Sequence, residues 1–461
     1  MQDPGRSTRR RWLDAATGHL TSRLGWFVVG GTVVLLAISL LSPAQRDRAA
    51  PATPQESGEL VILSGKDESR VPPTGQGSST ATPSNAPDPD TGVRAELINE
   101  WNHLHPETPA RIEEASGDAT KQHAEMVARA QSGAGDVDIY NLDVPWVAEF
   151  ASAHYILPLD RVDENDFLAK PIATCKYQGK TWARPFNTDA GLLFYRADLV
   201  AEQDLPFRLP PDLSFVERLK RKDPKLATGY VGQLADYEGL TVNAMEAIWS
   251  AGGEVVNKDG DVAIDSAAAK LGLRQLAEEP SDPQVDARTY QEDDSTRAFR
   301  EGKVALMRNW PVAYRRIKEG GEKAPSGVDV SANFAVAALR TPSVLGGQDL
   351  AISADTKKPL AARALIEFLI DPKRQKKLFE KGGLAAVRTS VYQDPGVRAQ
   401  RPYADILRKA VDKAEPRPIT PHYAVFSEAF RRVVNEALDN GGNLPSDAVR
   451  VLSDALQGYI R

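Results

Sequence analysis

The 461 residues exceed the size at which one hydrophobic core keeps growing, so two lobes or domains are expected. With 41% hydrophobic and 26% charged residues, the composition suits a globular protein and excludes a many-span membrane protein. A net charge of -6 gives no broad attraction for nucleic acid, and the single cysteine, Cys175, excludes an intrachain disulfide and a multi-cysteine metal site.

Arg6, Arg9, Arg10, Arg11 and Arg23 precede an uncharged run, LGWFVVGGTVVLLAISLLS, over residues 24–42. A helix of that length rises about 28 Å, close to the roughly 30 Å hydrocarbon core of a bilayer. The basic segment 1–23 belongs on the cytoplasmic side, which leaves the bulk of the chain outside. The run is therefore read as a transmembrane anchor. A cleaved signal is the alternative, because Ser42 and Ala44 offer a small-x-small site before Gln45. TRRRWL, Thr8 to Leu13, has twin-arginine character but lies well upstream of the apolar run. No cysteine stands directly after the run, so a lipid-modified cysteine is excluded as the tether. Residues 43–57, rich in Pro, Ala and charge, read as a flexible stem.

ELVILSG, Glu59 to Gly65, reads as a buried parallel strand. Residues 67–92 form a Pro/Ser/Thr/Gly tract too polar to pack, expected as a long mobile loop. From Val93, Leu97, Trp101 and Leu104 recur at helical spacing up to Pro106. ARIEE then predicts a strand, and DATKQHAEMVARAQSG a helix closing on Gly133. DVDIYNLDVPWVAEFA predicts a strand whose end carries Asp143 and then Trp146. This alternation predicts an α/β lobe with a largely parallel sheet.

In PFNTDAGLLFYRADL the polar Asn187, Thr188 and Asp189 stand directly before a buried-looking LLFY, so the triplet falls between two cores. Residues 199–290 read as mostly helical. In LADYEGLTVNAMEAIWSAGG, the side chains of Tyr237, Leu240, Ala244, Ala247 and Ile248 trace an apolar face, ended by Gly252 and Gly253. Strand and helix resume after TRAFREGKVALMRNWPVAY, and amphipathic helices follow Leu350 and fill the last forty residues. No internal repeat is present.

Ligands of open α/β sheets bind at the carboxyl ends of strands, which gives Asp143, Asn187 and Asp189 a shared location, a cleft between lobes. Enzyme signatures are missing: there is no GxSxG, HExxH or phosphate loop, and SGKDES lacks the glycine spacing of the last. His103 and His105, two apart, point to different faces and do not form a metal pair. A glycosidase pair of Asp143 and Asp189 is the enzymatic alternative, but no nucleophile, base and orienter combine. No catalytic residue, metal or cofactor is assigned. Cys175, Trp101, Trp182 and Trp249 are read as packing.

Five ordered motifs, PFNTDAGLLFYRADL, DYEGLTVNAMEAIWSAGGE, FREGKVALMRNWPVAY, PSVLGGQDLAIS and EKGGLAAVRTSVYQDP, resemble the extracellular solute-binding proteins of ABC importers. The resemblance runs from Glu59 to the C-terminus and is strongest to the maltose- and trehalose-binding subgroup. It implies an α/β, two-lobed periplasmic-binding-protein-like fold of type II: lobe 1 from 58–187 and 298–345, lobe 2 from 188–297 and 346–461 with the C-terminal helices. It also implies a monomer that closes on a sugar and delivers it to permease subunits. Carried over by motif, Asp143 and Asp189 accept from sugar hydroxyls, Asn187, Tyr237 and Glu238 line the cleft, Trp310 is a stacking platform, Gly347 a close backbone contact and Arg388 a donor. Three positions depart from the pattern: Gln348 stands where relatives often carry Trp, Asn187 where some carry an aromatic, and Ala386 where Pro is common. The missing lipid anchor, the altered aromatic position and the 67–92 tract support an alternative, a membrane-tethered sensor or assembly module.

Overall fold

The computed structural model describes residues 56–70, 92–115, 117–160, 163–278, 285–319 and 327–459. The expected anchor over 24–42, its basic flank, most of the stem and most of the 67–92 tract lie outside these residues. Among the described residues no helix is long and apolar enough to cross a membrane.

Eleven strands are described: β1 (Leu60–Ser64), β2 (Ala110–Glu114), β3 (Ile139–Asp143), β4 (Lys176–Tyr177), β5 (Lys180–Thr181), β6 (Arg184–Ala190), β7 (Leu192–Arg196), β8 (Thr228–Val231), β9 (Val304–Asn309), β10 (Phe334–Ala338) and β11 (Leu345–Ile352). They form a sheet of order β2-β1-β3-β11-β6, a second of order β10-β7-β9-β8, and the hairpin β4-β5. Each larger sheet founds one lobe.

In the first lobe, LVILS of β1 is buried at every position and pairs in parallel with both β2 and β3. A strand covered on both faces must be apolar throughout. Helix Val93–Leu104 supplies one cover through Leu97, Ile98 and Trp101, and the Trp101 indole N–H donates to the Thr108 carbonyl at 2.7 Å. Helix Ala119–Ser132 begins on Asp118, whose carboxylate accepts from the Lys121 N–H, and closes on a left-handed Gly133 as its sequence predicts. The sheet is mixed, however: β11 runs antiparallel to β3 and to β6.

Among the described residues the chain passes from lobe to lobe three times. β6 ends at Ala190 and β7 begins at Leu192, so Gly191 alone makes the first crossing. A Cβ there would stand 2.7 Å from Glu246 Oε1 and 2.8 Å from Arg308 Nη2, so a larger residue would have to displace that pair. The second crossing lies between β10 and β11, at Ser343 and Val344. The third is Glu415, whose N–H donates to the Ser343 carbonyl and whose carbonyl accepts from the Leu345 N–H, both at 2.8 Å.

These crossings divide the chain differently from the expected 298–345 and 346–461. Fully buried β9 lies inside the second sheet, between β7 and β8, and β11 lies inside the first, between β3 and β6. An all-buried strand needs a neighbour on each side, and β7 with β8 provides them for β9. Helices Pro359–Leu369 and Pro372–Gly382 pack on the first lobe, whereas Tyr423–Asp439 packs against Glu238–Ser250 and Ala267–Ala277 of the second. Cys175 is buried, and burial pushes its thiol up, in keeping with a packing role.

Candidate functional site

β11 is the strand that gathers the site. Its Gln348 lies opposite Asp143 of β3 on one side and Asn187 of β6 on the other, while Gly347 and Gly346 face Thr188 and Asp189. Gly347 has φ +122, and a Cβ there would stand 2.7 Å from the Thr188 Cα. Its glycine is therefore required by the β6 backbone.

From the second lobe, β9 delivers Arg308 and, just past its end, Trp310. The two side chains stack, with the guanidinium 3.9 Å from the centre of the indole. Arg308 is itself held by Glu246 through bonds of 2.8 and 2.7 Å, and Glu246 also accepts from the Val344 N–H at 2.9 Å. The stack is thus tied to the second crossing. The Trp310 indole N–H donates to Glu292 at 3.2 Å, and Tyr237 donates to the same carboxylate at 2.8 Å. A Cβ added at Gly346 would lie 3.2 Å from both the Asp189 Cβ and the edge of the Trp310 ring. Asp189 of one lobe and Trp310 of the other therefore flank one bare stretch of backbone.

Asp189 has no ion-pair partner among the described residues. Its polar partner is the Asn187 amide, which donates at 3.4 Å. Burial, with the negative charge of Asp143 behind it, pushes the Asp189 carboxyl up to about 8. Glu292 is likewise raised, chiefly by burial.

Asp143 is occupied differently. Arg417, which sequence reasoning missed, grips it with two bonds of 2.9 and 2.7 Å and also donates to Glu238 at 2.8 Å. Ser427 donates to Glu238 at 2.6 Å, and the Tyr423 hydroxyl donates to it as well. Burial opposes the charge on Arg417, but the two carboxylates more than offset it and keep the guanidinium protonated. Arg417 also lines two cavities, one of about 270 Å³ with Pro145 and Thr174 and one of about 750 Å³ with Trp249 and Asp261.

The structure thus brings Asp143, Asn187, Asp189, Tyr237, Glu238, Trp310, Gly347 and Gln348 to the junction of the lobes. It does not bring Arg388 there: its Nε donates to the Ile370 carbonyl at 2.9 Å, and its guanidinium lies 3.6 Å from the Phe167 ring centre. A nearby aromatic face and a free carbonyl satisfy it within the first lobe. Among missed residues, Arg308 carried a usable signal, since strand alternation places it on the same side as Trp310. Arg417, between two prolines, carried none. Among the described residues no His, Cys, Asp and Glu group suits a metal ion.

A family model described as bacterial extracellular solute-binding protein matches residues 99–402. A probable ABC transporter-binding protein of Deinococcus radiodurans is 28% identical over 340 residues, covering 70% of this chain and 80% of the relative. Among solved structures, the maltose-bound MalE3 of T. maritima superposes with a TM-score of 0.72 at 26% identity, covering 87% of this chain and 100% of that one. The GacH receptor of Streptomyces glaucescens, known unliganded and with acarbose, gives 0.70 at 24% identity over 88% of this chain and 100% of its own.

Proposed function

The chain belongs to the bacterial extracellular solute-binding proteins, and from that premise we propose that it captures a carbohydrate between its lobes and delivers it to the permease subunits of an ABC importer. The observation that carries the sugar reading is the pairing of Trp310 and Asp189 across Gly346. A pyranose offers an apolar C–H face to an indole and hydroxyls to a carboxylate, and the Asn187 amide and half-buried Gln348 stand in the same row. The maltose-bound relative and the transporter-binding name of the Deinococcus protein support the same direction.

In this reading Asn187, Asp189, Trp310 and Gln348 contact the ligand. Tyr237 acts behind Trp310 by fixing Glu292, and Gly347 lets β11 lie close on β6. Asp143 and Glu238 belong to the Arg417 group. The mechanism is capture and closure, with no chemical step assigned to this chain. The protein acts as an extracellular monomer, tethered by the apolar run 24–42 of its sequence.

The test is thermal unfolding of the full-length protein against maltose, trehalose, longer glucans and unrelated solutes. A ligand at one hundred times its dissociation constant adds about 2.7 kcal/mol. A rise of the melting point with one sugar and not with the other solutes is expected. A flat panel from folded protein would overturn the sugar reading. Recovery of a mature chain beginning at Gln45 would remove the tether.

A further inference from the structure

Arg417 lies two residues beyond Glu415, at the third crossing between the lobes. Its side chain is only 3% exposed. From there it reaches both ways: to Asp143, at the end of β3 in the first lobe, and to Glu238, the first residue of helix Glu238–Ser250 in the second. Glu238 is fixed in turn by Tyr423 and Ser427 of helix Tyr423–Asp439, which packs on the second lobe. One guanidinium is thus shared by carboxylates that stand in different lobes.

Relative movement of the lobes separates Asp143 from Glu238, because each is fastened to its own sheet or helix. Arg417 must then release one of them. A buried carboxylate that loses its cation is strongly disfavoured unless water reaches it, so the shared geometry resists opening. Other contacts also join the lobes: Lys66 meets Asp293 at 3.2 Å, Arg316 binds Glu68, and Arg315 donates to the Ser69 carbonyl. Lys66 and Asp293 are 46% and 49% exposed, so that pair is open to solvent screening, whereas Asp143, Glu238 and Arg417 are enclosed.

We propose that Arg417 is a positioning residue that clamps the two lobes together in the absence of solute, so that Asp143 with Glu238 holds the lobes in place and does not recognise the solute. The inference rests on the solute-binding reading of the cleft. Its test needs no sugar, so the two fail separately.

The experiment places spin labels on Lys121→Cys in the first lobe and Lys258→Cys in the second, both exposed, in the full-length protein whose one native cysteine is buried. Pulsed electron resonance then reads the distance between lobes without ligand. The parent is expected to give one narrow distribution, and Arg417→Met a shift to longer distances. Should Arg417→Met fail to fold, Asp143→Asn takes its place; it keeps the size of the side chain, removes one of the two charges and is expected to give the same shift. A parent distribution that is already broad and long would overturn the proposal. So would a folded variant, Arg417→Met or Asp143→Asn, whose distribution matches the parent's.

Discussion

Asp143 and Asp189 occupy equivalent places in the first lobe, on the two strands that flank β11, yet their surroundings differ completely. Asp143 is gripped by both terminal nitrogens of Arg417, whereas Asp189 meets a single amide at 3.4 Å. The same residue type in the same sheet becomes part of the framework when a remote cation reaches it, and stays available when none does. Family resemblance assigns both carboxylates to the ligand. The geometry separates them.

The largest effect should come from breaking the framework side. Arg417→Ala leaves Asp143 and Glu238 facing each other without a cation, and removing one partner of a buried pair typically costs about 3–5 kcal/mol. Chemical denaturation of the variant should show a loss of that order, and a loss below about 1 kcal/mol would erase the distinction between the two acids. Asp189→Ala should do the reverse. It removes a carboxyl without a cation, so the fold should keep its stability, while sugar affinity falls about two- to tenfold, the worth of a hydrogen bond to a neutral group. Calorimetric titration of that variant with the sugar found by the panel checks it.

Protonation offers a further test of Asp189. A carboxyl at about 8 in the fold and near 4 in the unfolded chain is held as its neutral form by folding. Its contribution is therefore full below about pH 4 and lost as pH rises towards 8, so stability should fall with rising pH across that window. Asp349, buried inside the first sheet with Thr174 donating at 2.9 Å, is pushed up to about 7 and adds a slope of the same sign. Asp189→Asn should reduce the slope from about pH 4 to 8 and Asp349→Asn from about pH 4 to 7, so only the first variant changes the slope above 7. A wild-type profile that is level or rising from pH 5 to 8 would contradict both.

The sequence marked these elements unevenly, for physical reasons. β1, β2 and β3 and the helices at Val93 and Ala119 were legible because their apolar periods, Asp118 and Gly133 are local signals. Trp310 and Asp189 could be named from short motifs, though that they face each other depends on two sheets meeting. Which sheet receives β9 and which receives β11 is not written in either strand, since both are short and mostly buried and the choice lies in the crossings at Ser343 and Glu415. Arg417 was beyond reach for a related reason: its partners are 274 and 179 residues away. Arg388 shows the opposite failure, a motif read correctly as a donor whose carbonyl and aromatic partners lie outside the cleft.

The smallest expected effect comes from an interlobe contact that differs from the clamp in burial. Lys66 and Asp293 also join the lobes, but both are about half exposed. Exposed pairs contribute about 0.2–1 kcal/mol, and at 1 M salt the screening length shrinks to roughly 3 Å. Lys66→Ala should therefore lower stability only slightly at low salt, and the difference from the parent should vanish as salt is added. The Arg417→Ala loss should persist under the same titration, because water and ions do not enter between Arg417 and Asp143 while the lobes are together. If salt removed both losses equally, burial would not be what distinguishes the two contacts, and the clamp would reduce to another surface ion pair.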